Sequence, residues 1–191
     1  MCRPLLQAAF LFSLILSPLA LKAEAIKLHP GYLGINYGHY QQKPEKILAN
    51  LNQGESLDTA ELHLRLGGRI SDYFASELRF GGLRDEWSQG NYSYRYDYHL
   101  SAHLRANYPL GFLVPYVQLG YSLGQRSVVF PSPDGSGFDR SGKETLASYS
   151  YGAGLDVLLG QRFGINLEYA HPYPQENTAP TVVSGGLFFR F

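Results

Sequence analysis

From Tyr92 to Tyr108 the chain alternates without a break. Tyr, Leu or Ala holds every even position, while Ser93, Arg95, Asp97, His99, Ser101, His103, Arg105 and Asn107 hold every odd one. A period of two marks a β-strand whose two faces meet different surroundings. The pattern recurs along the chain. At 32–40, Leu33, Ile35 and Tyr37 oppose Gly34, Asn36 and Gly38; at 59–68, Leu62, Leu64 and Leu66 oppose Glu61, His63 and Arg65. At 74–82, Phe74, Leu78 and Phe80 oppose Glu77, Arg79 and Gly81; at 113–124, Val117, Leu119 and Tyr121 oppose Gln118, Gly120 and Ser122. The stretch 145–160 sets Tyr149, Tyr151, Leu155 and Val157 against Ser148, Ser150, Gly152 and Asp156. At 163–170, Phe163, Ile165, Leu167 and Tyr169 oppose Asn166 and Glu168. The last stretch, 181–191, places Val183, Leu187, Phe189 and Phe191 opposite Ser184, Gly186 and Arg190. Eight strands are predicted.

The links between them alternate in length. Short ones fall near 69–73, 109–112 and 160–162, and longer polar ones near 41–56, 83–91, 125–144 and 171–180. The third long link is rich in Pro, Ser, Gly and Asp and reads as a mobile surface loop. An even number of antiparallel strands, with short turns at one end and long loops at the other, describes an up-and-down transmembrane β-barrel. The predicted fold class is therefore all-β, an eight-stranded antiparallel barrel with both termini on the short-turn, periplasmic side.

Charge decides which face is inside. The polar faces carry Arg65, Arg79, Arg95, Arg105 and Arg190 against Glu61, Glu77, Asp97, Asp156 and Glu168, five of each sign. Lys is absent from these faces, and Gly and Ser abound. In a soluble barrel such a face would meet water and the aromatics would have to fit a narrow interior. Facing lipid at mid-depth, each Arg would instead cost about 2–4 kcal/mol. The Tyr face is expected outside, and the ten charged residues are expected to form an ion network in the lumen.

Composition agrees with strands: 15 Tyr, 11 Phe and 21 Gly among 191 residues, with zero net charge. No basic run suggests nucleic acid. Residues 1–25 have a basic start, an apolar run from Leu5 to Leu21 and an Ala-Glu-Ala end, the features of a cleaved secretory signal peptide. The mature domain is expected to span 26–191. Cys2 would leave with the signal, which removes thiol chemistry.

These features together, "GYLGINYGHY" as first strand, "RISDYFASELRFGG" around the first turn and the terminal "GGLFFRF", resemble the OmpA-like/opacity-like family of small outer-membrane barrels. The resemblance covers the whole mature chain. It implies outer-membrane lipid as surroundings and roles that range over membrane-to-wall structural proteins, adhesins, serum-resistance factors and small channels. A host or envelope ligand at the extracellular loops is expected as a partner, and no cofactor. It also implies that Val183, Leu187, Phe189 and Phe191 form the signal read by the barrel-assembly machinery. Because the chain stops at Phe191, no separate peptidoglycan-binding domain is expected to follow the barrel.

A structural or surface-interaction role through four extracellular loops, without catalysis, is the leading expectation. A narrow channel and a lipid-modifying enzyme are the alternatives. His99-Leu100-Ser101 is similar to the His-x-Ser element of outer-membrane lipid A deacylases, but position 102 is Ala where that family has Asn. Parity also turns His99 and Ser101 into the lumen, away from acyl chains. His99 and His103 are separated by about 13 Å along a strand, too far to share a metal unaided.

Overall fold

The computed structural model describes residues 30–42, 57–83, 87–89, 92–130, 140–174 and 180–191. The proposed signal peptide lies outside the described residues. Among the described residues nine strands form: β1 (Gly31–Gln42), β2 (Leu57–Arg69), β3 (Phe74–Leu83), β4 (Trp87–Gln89), β5 (Tyr92–Asn107), β6 (Leu113–Phe130), β7 (Arg140–Leu159), β8 (Phe163–His171) and β9 (Thr181–Arg190). All neighbours pair antiparallel. β1 pairs with both β2 and β9, and a β3–β5 ladder closes the sheet on itself. β4 pairs only with β5, as a short hairpin beside the closed barrel of eight.

The alternation read from the sequence is the pleat of this barrel. Leu33, Ile35, Leu64, Leu78, Leu104, Leu119 and Leu167 stand exposed on the outer wall, whereas Asn36, Arg65, Glu77, Arg105, Gln118 and Glu168 are buried. Such an arrangement inverts a soluble protein, and only a lipid surrounding makes it favourable. Aromatic rings bracket the aliphatic band. Tyr73, Phe74, Tyr108, Phe112 and Phe163 project near the short turns, and Tyr37, Tyr98, Tyr121, Tyr149 and Tyr169 at the other end. Two such girdles mark the two membrane interfaces.

Short turns join the strands at one end. In the first, Ser71 Oγ accepts hydrogen bonds from the backbone N–H groups of Tyr73 (3.3 Å) and Phe74 (3.1 Å). Gly111 and Gly160 adopt φ of 67° and 79° in the other two, a conformation that glycine takes without strain. Gly31 and Phe191 exchange backbone hydrogen bonds of 3.0 and 3.2 Å at this same end.

Two local readings need correction. The unbroken alternation predicted a uniform strand through Arg95 and Asp97, but the β5–β6 register shifts between Tyr96 and Tyr98. Asp97 is the extra residue of a bulge, which alternation alone cannot reveal because the repeat continues on both sides of it. The stretch 125–144 is also less of a loop than its composition suggests. β6 and β7 continue as a ladder through Phe130↔Arg140, so only 131–139 remain outside the described residues.

Candidate functional site: the charged layer across the lumen

Three arginines and three carboxylates fill the middle of the barrel. Arg65 and Arg79 are directly opposed Cα partners on β2 and β3, a like-charge pair that is unfavourable alone. Glu77 resolves it. Its carboxylate accepts from Arg65 Nη2 (2.6 Å) and Nε (3.1 Å), from Arg79 Nε (2.5 Å), from Arg105 Nη1 (2.9 Å) and from the Tyr32 hydroxyl. Glu168, on the far side, accepts from Arg79 Nη1 (2.5 Å) and Nη2 (2.7 Å) and from the Tyr116 hydroxyl (2.6 Å). Asp156 accepts from Arg105 Nη2 (2.7 Å) and Asn166 Nδ2 (2.6 Å).

Neutral groups complete the layer. Asn36 donates to Asn166 (2.7 Å), Asn166 donates to the Tyr116 hydroxyl (2.9 Å), and Arg79 donates to Gln118 (2.8 Å). The Arg105 guanidinium lies 3.6 Å from the centre of the Tyr116 ring, a cation–π contact that covers its face. Every barrel strand except β9 contributes a side chain. Charge balances within the layer, which a water-poor interior requires.

Glycines make room for it. A side chain at Gly67 would collide with the Tyr32 ring, one at Gly154 with the Tyr116 ring, and one at Gly164 with the Phe188 ring. Some of the small residues on the lumen face thus oppose large inward side chains. Tyr32, Tyr40, Tyr116 and Phe188 were missed by the sequence reading, which assigned aromatics to the outer wall. Parity could have found them: Tyr32 and Tyr40 share the face of Asn36, and Tyr116 shares that of Gln118.

Three of the ten expected network residues stand elsewhere. Among the described residues Glu61 meets no arginine; its carboxylate lies 3.1 Å from His99 Nδ1 and 3.8 Å from His63 Nδ1. Asp97, displaced by the bulge, accepts from Ser127 Oγ (2.7 Å) and borders an outer depression with Leu62, Leu64, Phe80 and Tyr98. Arg190 is buried near the short turns, where Nη2 donates to the Gly160 carbonyl (3.1 Å). No carboxylate lies within ion-pair distance of it among the described residues. The side chain of Arg95 lies outside the described residues.

Between the charged layer and the loops, the lumen is lined by His and Ser. The Tyr40 hydroxyl lies 3.3 Å from His99 Nδ1, the Tyr173 ring packs 5.7 Å from the His99 ring, and His103 Nε2 lies 3.0 Å from Ser150 Oγ. A cavity of about 20 Å³ borders His63, His99, His103, Ser122 and Ser150, room for about one water molecule. His99 and Ser101 are both buried in the lumen, so neither faces an acyl chain. Among the described residues no three His, Cys, Asp or Glu side chains come together as a metal-ligand set.

Of the terminal series, Val183, Leu187 and Phe191 are exposed on the outer wall, and Phe189 packs against Phe163 with ring centres 5.2 Å apart.

Comparison with known proteins agrees with this geometry. The family model described as "Outer membrane protein beta-barrel domain" matches residues 8–191. Among solved structures, Ail of Yersinia pestis, crystallised with the heparin analogue sucrose octasulfate, is similar at a TM-score of 0.61 and 18% identity, covering 86% of this chain and 99% of that one. Neisserial surface protein A is similar at 0.60 and 17%, covering 84% and 97%. The N-terminal β-barrel domain of Pseudomonas aeruginosa OprF is similar at 0.54 and 15%, covering 84% and 97%. Among curated proteins no significant match is found.

Proposed function

The chain belongs to the outer-membrane protein β-barrel family, and from that premise we propose that it is a non-catalytic surface protein that acts through its loop end. The barrel is the anchor in this reading, with its short turns and both ends of the mature domain in the periplasm. The observation that carries the proposal is strand length. A tilted transmembrane strand needs about 9–11 residues, whereas β6 has 18 and β7 has 20. The excess lies beyond Tyr121 and Tyr149, on the loop side of the upper aromatic girdle. At about 3.3 Å per residue, it lifts a β-ribbon well clear of the bilayer. The buried, charge-balanced layer across the lumen offers no comparable surface for a partner.

A clean truncation tests this. Gln125 and Thr145 are Cα partners, so an Asn-Gly turn replacing residues 126–144 closes the hairpin with a two-residue loop. The shortened protein is expected to insert normally and to lose attachment of cells to host matrix. Immobilised heparin is the first probe, because the similar Ail was crystallised with a heparin analogue. Undiminished attachment by the truncated protein, relative to a deletion strain, would refute a role for the ribbon.

Assembly makes a second prediction. We propose that the assembly machinery reads Val183, Leu187, Phe189 and Phe191. Deleting Phe191, or making Phe191→Asp, should lower membrane yield several-fold while secretion across the inner membrane continues. Quantitative blotting of outer-membrane and periplasmic fractions measures it. Normal yield without Phe191 would remove that residue from the signal.

A further inference from the structure

We propose that the short-turn mouth of the barrel holds a binding site for one small oxyanion, a carboxylate with a short aliphatic group fitting best. Beneath the charged layer lies a cavity of about 50 Å³, lined by the charged groups of Arg69, Arg105, Arg190, Asp72 and Asp156 and by the apolar cluster of Val114, Leu158 and Phe188. Two of the three cations already have counter-charges. Arg69 pairs with Asp72 at 2.5 Å, and Arg105 pairs with Asp156 at 2.7 Å and Glu77 at 2.9 Å. Arg190 differs. It is 4% exposed, yet among the described residues it donates only to one backbone carbonyl.

The donors left over point to the ligand. Arg190 Nε and Nη1 and Arg105 Nε are buried with no hydrogen-bond partner. A buried cation without a counter-charge is unfavourable, and guanidinium N–H groups suit the oxygens of carboxylate and phosphate. One monoanion would neutralise the mouth, since the positive excess over Asp72 and Asp156 is a single charge. Size narrows the class further. A water needs roughly 10–15 Å³ of cavity, so this one takes a group of a few heavy atoms, too small for a sugar ring. The wall of Val114, Leu158 and Phe188 gains nothing from phosphate but would cover a short hydrocarbon chain.

The site lies at the opposite end of the barrel from the proposed attachment ribbon, so the two stand or fall separately. Its test is a titration of the refolded, arginine-labelled barrel in micelles, following guanidinium N–H signals by NMR. Sodium butyrate, acetate and phosphate are the probes, with chloride at equal ionic strength as the reference. Butyrate is expected to shift the Arg190 Nε–H signal saturably, at lower concentration than acetate. A saturable response to phosphate alone would reassign the ligand to free or esterified phosphate and overturn the carboxylate assignment. Responses no different from chloride would overturn the site altogether. Arg190→Gln should abolish the butyrate response, seen then at Arg105. Arg190→Lys, which keeps the charge and loses the planar donor array, should weaken it about tenfold. Butyrate binding unchanged in either folded variant would equally overturn the assignment, and the wild-type titration decides the matter even where Arg190→Gln fails to fold.

Discussion

Glu77→Ala should destabilise the barrel by about 3–5 kcal/mol, the loss expected when one partner of a buried ion pair is removed. Most buried pairs involve two groups, but this carboxylate serves Arg65, Arg79, Arg105 and Tyr32 at once. Its removal leaves Arg65 and Arg79 opposed across the β2–β3 ladder without the charge that separates them. Glu168 still holds Arg79 and Asp156 still holds Arg105, so Arg65 is stranded most completely. The double variant Arg65→Leu with Glu77→Leu should therefore be more stable than Glu77→Ala alone, because it removes the stranded cation too. Urea unfolding of the refolded barrel, followed by tyrosine fluorescence and by the mobility difference between folded and unfolded forms on a gel, measures both. A Glu77→Ala barrel within about 0.5 kcal/mol of wild type, the range usual for surface substitutions, would mean that water or rearranged partners replace the carboxylate.

The sequence made the barrel legible because each strand has one face in lipid and one in a polar interior. Leu62, Leu64 and Leu66 against Glu61, His63 and Arg65 leave only one sensible orientation, since a one-residue slip would expose Arg65 to hydrocarbon. What alternation could not convey was the geometry inside. Facing is a property of one strand, whereas pairing depends on the stagger between strands, which no single strand records. Glu61 and Glu77 therefore looked equivalent, yet the first meets His99 and the second meets three arginines. Likewise Arg190 shares the lumen parity of Arg79 but sits one layer closer to the turns, where no described carboxylate lies within ion-pair distance. Asp97 was misread for a different reason. A bulge adds one residue, and in a run of Tyr at every second position the addition leaves no mark. The inward Tyr32 and Tyr116 were hidden by a rule applied too broadly. Tyr belongs at a membrane interface when its hydroxyl needs water, but a carboxylate satisfies the same hydroxyl in the lumen.

Purified and refolded, the protein should give no steady conductance in a planar bilayer. Eight strands enclose a space that side chains only just fill, and here seven of the eight barrel strands send a group into one connected layer. From Arg65 through Glu77 and Arg79 to Glu168 the chain of ion pairs runs from β2 to β8, and Arg105 with Asp156 ties β5 to β7. The cavities on either side, about 20 and about 50 Å³, are separated by that layer. An ion would have to break several charge-assisted bonds together, each among the stronger interactions available to a protein. Shortening the layer should change this. With Arg79→Ala and Glu168→Ala combined, both members of one pair are removed, no opposite charge is left over between them, and a gap opens beside Gln118. Small, cation-preferring steps are expected, because Glu77 loses one of its three cations in that variant and stays on the widened path. The comparison is made on single-channel recordings of both proteins at equal yield. Steady conductance of the wild-type protein that falls or rises when Glu77 or Arg79 alone is replaced by Ala would show that the layer is a permeable filter. The narrow-channel reading would then displace the closed anchor.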